Sequence, residues 1–355
     1  MTAIWRAGAL PRTSGRVTWV DAGKGLAIVL VVLFHTANWT AIMPLDTSGW
    51  QAFNAFVATL RMPLFFALSG LFAAKWLTVP LADLWSKKLA LFVWVFLLWT
   101  VVAVIVFQLA HIIEGAPLSW YGQFIATIRA PLFPRFELWF LWALTLAFLA
   151  ARLMRRIPRW VQLGVFGLLS ALMLTDSFAF FVPEWQGALR YFFFFLLGMH
   201  LRRPIIEYAE RSGWLLRCLF IATWAIYAAV VTATGAGVVF GVQFVNALLG
   251  VLAGVALSQV LARLPGLATL GGRTLPVYVA HTPFVILIVT PLSLWGAGPA
   301  LQPWVILVVP AVAAAAVALS LGLKMLADGS SSRSWLFDAP GFFRGVRYPD
   351  ARRSH

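Results

Sequence analysis

Apolar stretches of about 18 residues or more recur along the whole chain, and no other feature limits its fold as strongly. A helix of that length crosses the roughly 30 Å hydrocarbon core of a bilayer. Within that core, only a helix or a closed barrel pairs every backbone polar group. Apolar residues make up 62% of the 355 residues and charged residues only 11%, against about a quarter charged in soluble domains. The sequence therefore predicts an all-α polytopic membrane protein.

The apolar stretches predict about ten transmembrane helices within one domain, residues 18–326. We place the helices at residues 18–41, 51–75, 89–112, 137–152, 160–182, 188–201, 214–234, 239–262, 273–295 and 302–326. The fourth and the sixth are the shortest. Residues 1–17 form an amino tail, and residues 327–355 form a polar carboxyl tail that we expect to be mobile.

Positive charge alternates between the predicted connections. Of the 27 Lys and Arg, 22 fall in connections on the same side as both termini. Arg129, Arg135 and Arg190 fall on the other side, and Lys24 and Arg61 lie inside predicted helices. Because cytoplasmic loops carry the excess of Lys and Arg, both termini are expected in the cytoplasm. The same distribution accounts for the net charge of +15 without a nucleic-acid partner.

Cysteine and metal-ligand patterns exclude some classes of protein. The single cysteine, Cys218, cannot form an internal disulfide. No spacing of His, Cys or carboxylate residues predicts a metal site, and we expect no permanently bound cofactor. The first apolar stretch begins near Val17 and is too long for the core of a cleavable signal, so it is interpreted as the first spanning helix.

The first predicted helix carries ionisable residues at membrane depth. Lys24 and His35 are 11 residues apart, so they lie within about 20° of one face and about 16 Å apart along the axis. Asp21 falls near the same stripe. Such groups usually line a cavity or a functional path. Alternatively, Lys24 reaches the interface and pairs with Asp21, and His35 makes a packing hydrogen bond. Their shared face favours a joint role.

The second predicted helix places Arg61 near the middle of the membrane, where an arginine needs a partner or water. Pro63 follows and predicts a kink. Ser69 precedes Gly70, and this pair of small residues favours close helix packing over chemistry.

Two further helices carry polar candidates. Glu137 and Trp139 open the fourth helix at the outer surface, where an ordinary interface anchor is the alternative interpretation. Tyr278 and His281 lie on the ninth helix, about two turns from its cytoplasmic end.

Five motifs, in order along residues 16–326, resemble the membrane acyltransferase 3 family of bacterial O-acyltransferases. The family carries a basic residue, ten residues and a histidine on its first helix; Lys24 and His35 match it, with lysine where arginine is more common. The run from Asp21 to His35 resembles the fucose O-acetylase-like branch in particular. Some members have histidine at the position of Arg61. The other motifs are Met-Pro-Leu-Phe-Phe-x-x-Ser-Gly at 62–70, Leu-Trp-Phe-Leu at 138–141, Phe-Leu-Leu-Gly-Met at 195–199 and Leu-Pro-Val-Tyr-Val-Ala-His at 275–281.

The resemblance implies transfer of an acyl group, acetyl in particular, from cytoplasmic acyl-CoA to a hydroxyl of an extracytoplasmic glycan or glycolipid. It implies a location in the inner (cytoplasmic) membrane of a bacterium, with ten helices and both ends inside. His35 is the expected general base or brief acyl carrier. Lys24, held by Asp21, would attract the CoA phosphates, and Arg61 would stabilise the oxyanion or orient the donor. The remaining candidates are Ser69, Tyr278 and His281 as supporting residues, and Glu137 and Trp139 on the acceptor side.

A transporter or flippase without covalent chemistry is the competing hypothesis, since it would also use intramembrane Lys, Arg and His. A non-catalytic membrane scaffold is a third. Neither explains the pairing of Lys24 and His35 on one face together with the other four motifs. Hydrolysis of the acyl-CoA thioester by the purified protein would separate an acyltransferase from a transporter.

Overall fold

The computed structural model describes residues 17–175, 183–330 and 333–345, and the regular structure within these ranges is helical throughout. The all-α prediction is thereby confirmed. The predicted amino tail before Val17, the end of the fifth predicted helix (176–182) and the last ten residues lie outside the described residues. The α-helices are α1 (Thr18–Thr40), α2 (Ser48–Phe56), α3 (Ala58–Gly70), α4 (Leu81–Leu84), α5 (Ala90–Ile113), α6 (Trp120–Arg129), α7 (Trp139–Leu153), α8 (Arg159–Leu174), α9 (Pro183–His200), α10 (Arg202–Arg211), α11 (Trp214–Thr234), α12 (Val242–Leu261), α13 (Pro265–Gly271), α14 (Thr274–Leu294), α15 (Gly298–Leu301), α16 (Val305–Asp328) and α17 (Gly341–Arg344).

Membrane-spanning length distinguishes these helices. In the described part of the chain, seven helical runs are long and apolar enough to cross a bilayer, and the bent pair α2–α3 makes an eighth if it is one span. Two other predicted spans fall short: α8 has 16 residues, and α9 carries Glu184 and Arg190 among its 18. The chain is a multi-pass membrane protein. The count of ten spans and the cytoplasmic placement of both ends stay predictions.

The first helix, α1, lies in the middle of the bundle. It packs against α3, α12, α13, α14 and α16, because its sequence is apolar on nearly all sides. The short helix α13 approaches it closely at Gly25, where a Cβ would overlap the backbone carbonyl of Leu267. This contact lies next to Lys24 and fixes the amino-terminal half of α1 against α13.

The second predicted span is broken. Helices α2 and α3 meet at Val57 with a bend of 47°, and α3 continues through Pro63. The bend is thus six residues before the position at which the proline predicts it. The carbonyl of Thr59, which Pro63 leaves without its helical donor, packs against Gly250 of α12, and this contact supports a continuous α3. At the far end of α3, Gly70 packs directly on the backbone of α9, the close contact that the Ser-Gly pair predicts.

Residues 333–345 of the predicted carboxyl tail pack against the third span. Indole N–H groups of that span donate to backbone carbonyls of the tail: Trp85 to Phe343 at 3.1 Å, Trp94 to Trp335 at 2.7 Å and Trp99 to Leu336 at 2.8 Å. Phe337 is buried in the main apolar core. This part of the tail therefore packs against the bundle, and the mobility of the tail stays a prediction.

Candidate active site

Two cavities in the bundle share part of their lining. The first, about 350 Å³, is lined by Lys24, Lys75 and Lys88 among largely apolar side chains; we name it the lysine cavity. The second, about 420 Å³, is lined by His35 and Glu137 among others; we name it the histidine cavity. The residues predicted from the first helix thus lie in separate cavities that open from the same side of α1.

Phe65, Phe140 and Tyr278 line both cavities and therefore lie between them. The rings of Phe65 and Phe140 stack with centroids 4.5 Å apart and planes 20° apart. Phe140 meets Tyr278 edge to face at 5.5 Å. We call these three side chains the aromatic partition. Because the rings are in contact, the two cavities are adjacent but separated.

Glu137 is positioned by Tyr278 and by the local backbone. The Tyr278 hydroxyl donates to the backbone carbonyl of Glu137 and accepts from the backbone N–H of Phe140 at 3.1 Å. Helix α7 begins at Trp139, so the Phe140 amide belongs to the first turn, whose amides have no intrahelical partner. Phe136, with φ of 55°, adopts a left-handed conformation that is uncommon for an aromatic residue. A turn before α7 and a cap from α14 therefore hold Glu137.

His35 faces Glu137 across the histidine cavity. Its Nδ1 lies 3.4 Å from Oε1 of Glu137, and both side chains are mostly buried, with exposed fractions of 16% and 15%. The indole N–H of Trp39 reaches the same carboxylate oxygen at 3.4 Å. A carboxylate accepts but does not donate, so this contact favours the tautomer with the proton on Nδ1. The Nε2 lone pair of His35 is then free to take a proton.

His281 lies next to His35 but in a different environment. The ring centroids are 5.4 Å apart, and His281 is fully buried. Its Nδ1 is 3.0 Å from the carbonyl oxygen of Val277, and the Thr282 hydroxyl lies 3.3 Å from Nε2. Both ring nitrogens are therefore satisfied by its own helix. His281 is outside the described lining of both cavities and contacts His35 through its ring, and a supporting role for it stays a prediction.

Arg61 belongs to the histidine cavity. It is 7% exposed, and its guanidinium carbon lies 4.2 Å from the centroid of the Phe34 ring. Among the described residues, its Nη1 has no hydrogen-bond partner. A buried guanidinium nitrogen without a partner is a donor available to an anionic or carbonyl oxygen. Trp139, predicted on the acceptor side, lines this same cavity.

Two lysines of the lysine cavity were used above only to predict which connections are cytoplasmic. Lys75 and Lys88 join Lys24 in its lining, and the ammonium of Lys88 lies 4.7 Å from the centroid of the Phe92 ring. In the charge census both were simply positive residues of one connection. Their positions in the sequence give no sign of a shared site, so only the tertiary packing that brings both side chains to the cavity lined by Lys24 identifies them.

Two further candidates differ in their placement. Ser69 lines the lysine cavity, and its hydroxyl donates to the carbonyl of Phe65 at 2.8 Å on its own helix. Asp21 is outside the described lining of both cavities, and its pairing with Lys24 stays a prediction. The histidine cavity is also lined by polar residues that were not predicted as site residues: Asn38, Gln51, Asn54, Arg190 and Tyr191.

These features define a multi-pass helical membrane protein with a basic cavity and a His–Glu cavity on either side of a partition. A family model described as an acyltransferase domain, acyltransferase 3, matches residues 17–324, and the chain belongs to that family. It is also similar to the nodulation protein NolL of Mesorhizobium japonicum, with 23% identity over 239 residues, which are 63% of this chain and 59% of that protein. The chain thus matches less than two thirds of that relative's length. No solved structure matches the chain significantly.

Proposed function

We propose that the chain is a membrane O-acyltransferase that moves an acyl group, acetyl in particular, from cytoplasmic acyl-CoA to a hydroxyl of an extracytoplasmic glycan or glycolipid. Membership of the acyltransferase 3 family supports the acyl transfer. The observation that carries the donor, the acceptor and the direction is the pair of cavities that meet at the aromatic partition. We place this reaction in the cytoplasmic membrane of a bacterium.

The lysine cavity is suited to the donor. CoA carries several phosphate charges, and ammonium groups bind phosphate as point charges. Lys24, Lys75 and Lys88 come from three different parts of the chain and line one cavity, which is otherwise apolar and suits an acyl-pantetheine arm. The arm would end at the aromatic partition, where the thioester meets the histidine cavity.

The histidine cavity is suited to the chemistry. An acceptor hydroxyl gives its proton to Nε2 of His35 while its oxygen attacks the thioester carbonyl carbon. The new C–O bond forms, the C–S bond breaks, and the proton passes from His35 to the CoA sulfur, so the products are an ester and free CoA. Glu137 holds the imidazole and offsets its transient positive charge, as the carboxylate does in other His-based sites. The unpaired Nη1 of Arg61 stabilises the oxyanion.

Replacement of His35 by Ala tests this assignment. Loss of a general base costs about 10²–10⁴-fold in rate, so we expect transfer from labelled acetyl-CoA to surface glycans to fall by about that factor, with expression and membrane insertion unchanged. His111→Ala is the matched control, because His111 bonds the carbonyl of Phe107 at 3.0 Å and is outside the described lining of both cavities. Substantial residual transfer in His35→Ala would remove its catalytic role.

The direction of transfer is tested with membrane vesicles of opposite orientation. Labelled acetyl-CoA added outside inside-out vesicles should reach the donor site and label the glycan within. The same addition to sealed right-side-out vesicles should give no label. Equal labelling in both orientations would contradict a cytoplasmic donor site.

A further inference from the structure

Side-chain amides gather in the wall of the histidine cavity. Asn38 comes from α1, and Gln51 and Asn54 come from α2. Gln51 and Asn54 are three residues apart and therefore lie on one face of α2. The 47° bend at Val57 directs α2 away from the axis of α3, and both amides thereby reach the cavity that holds His35.

Asn54 is the member of this group that a structural role does not explain. It is 3% exposed, and within the described ranges neither its Oδ1 nor its Nδ2 has a hydrogen-bond partner. Buried polar groups are nearly always paired. An amide in a cavity wall whose two polar atoms both lack partners therefore indicates a polar occupant, and its terminal torsion is soft enough to adjust to one.

The donors and acceptors around the cavity indicate the chemistry of that occupant. Asn54 offers one of each, Arg61 offers an unpaired donor, and Oε2 of Glu137 offers an acceptor that is likewise unpaired among the described residues. Hydroxyl groups both donate and accept, so a polyhydroxylated ligand can satisfy all of these atoms. Phosphate or sulfate oxygens act mainly as acceptors, so such a ligand would leave the acceptors Oδ1 of Asn54 and Oε2 of Glu137 without a partner.

Aromatic rings complete this wall. Trp139 and Tyr191 line the cavity, with ring centroids 6.1 Å apart and planes 30° apart. Amides, a carboxylate and flat ring faces together suit a sugar ring, which has polar edges and apolar faces.

We propose that Asn54 is a specificity-determining residue that binds a hydroxyl of the sugar acceptor beside the hydroxyl that is acylated. Asn38 and Gln51 bind further hydroxyls of the same ring or of its neighbour. This proposal rests on the proposed function, since it assigns the acceptor subsite of the same reaction.

The experiment uses the full chain in lipid nanodiscs with labelled acetyl-CoA as donor. The acceptor is the surface-glycan fraction of cells that lack the protein, deacetylated with mild alkali. Asn54→Leu keeps the approximate shape and removes both hydrogen bonds, whereas Asn54→Asp keeps an acceptor atom. Asn246→Leu is the matched control: Asn246 is also 3% exposed with an unpaired Oδ1, but it is outside the described lining of the histidine cavity.

We expect Asn54→Leu to raise the half-saturating amount of acceptor about 5- to 100-fold, the effect of losing one or two neutral hydrogen bonds. The half-saturating concentration of acetyl-CoA should not change. Asn54→Asp should give an intermediate value, and Asn246→Leu should match the wild type in both quantities.

Different results separate the two proposals. An Asn54→Leu variant with wild-type acceptor saturation, or with donor and acceptor saturation weakened equally, overturns the role of Asn54 while the acyltransferase stands. A misfolded Asn54→Leu is recognised by gel filtration, and the comparison then rests on Asn54→Asp, whose wild-type behaviour would also overturn the role. A wild-type protein that moves no acetyl from acetyl-CoA to this fraction refutes the proposed function, and the subsite falls with it.

Discussion

Replacement of Tyr278 by Phe removes a single oxygen atom at the junction of the two cavities. Tyr278 is 5% exposed, and its hydroxyl bridges the backbone carbonyl of Glu137 and the backbone N–H of Phe140. The phenyl ring of the variant keeps the edge-to-face contact within the aromatic partition. The substitution therefore tests the bridge and leaves the ring packing in place.

The expected magnitude follows from the groups that lose their partner. A buried amide left unsatisfied, here that of Phe140, costs about 1–3 kcal/mol, and the net value of the second hydrogen bond is about 0.5–1.5 kcal/mol. We expect a total loss of about 3 kcal/mol in the free energy of unfolding. The start of α7 would also relax, and Glu137 would move from its 3.4 Å contact with His35. A displacement of about 1 Å can reduce a rate about 10²-fold, so we expect kcat to fall at least about tenfold.

Thermal unfolding in detergent and initial rates of acetyl transfer measure these two effects. Tyr208→Phe is the control, because Tyr208 makes one hydrogen bond, to the carbonyl of Leu252 at 3.3 Å, on a connecting helix away from both cavities. Tyr278→Phe should lower the unfolding midpoint more than Tyr208→Phe does. It should also lower kcat at temperatures far below the midpoint, with the half-saturating acetyl-CoA unchanged. Equal midpoints in the two variants together with a wild-type kcat in Tyr278→Phe would refute the bridging role.

Three further substitutions test the donor site, the helix packing and the carboxylate. Lys88→Ala should raise the half-saturating concentration of acetyl-CoA several-fold, and this effect should shrink at high salt. Lys87 is the control, because it is exposed and paired with Asp83, so Lys87→Ala should leave that concentration unchanged. Equal effects of the two substitutions would contradict a contact between Lys88 and phosphate. Gly70→Leu should lower the free energy of unfolding by about 3 kcal/mol, since the new side chain would overlap the backbone of α9. Gly164→Leu is the control and should be tolerated, because no described heavy atom lies within 4 Å of a Cβ there. Similar unfolding midpoints in the two variants would contradict the close packing. Glu137→Gln should lower kcat about 10- to 100-fold without a change in acetyl-CoA binding, and a wild-type rate would show that His35 needs no carboxylate.

The features that the sequence predicted well depend on local pattern. Apolar length predicted the helices, and helical geometry placed Lys24 and His35 on one side of α1, where each now lines a cavity. The features that it missed depend on contacts between distant parts of the chain. Glu137 was predicted as an acceptor-side candidate or an interface anchor, but its contact with His35 joins distant parts of the chain and no local pattern shows it.

The bend at Val57 illustrates a different limit. Neither glycine nor proline stands at this position, so no residue there carries the usual signal of a break. Without the bend, Asn54 would continue the line of α3 as one more polar residue near a helix end. The importance of that amide therefore follows from tertiary structure, which sets both the bend and the cavity beside it.

The aromatic partition bears on the choice between acyl transfer and transport. A transporter must pass a whole solute, so its path has to open to the width of that solute. Between the two cavities, the rings of Phe65 and Phe140 stack at 4.5 Å, and the adjacent Tyr278 is tied to the backbone of Glu137 and Phe140. In the proposed reaction the thioester end of the acyl-pantetheine arm meets the acceptor hydroxyl at this partition, so the rings have to move apart only by the width of a small acyl group, while the rest of CoA and the glycan stay in their own cavities.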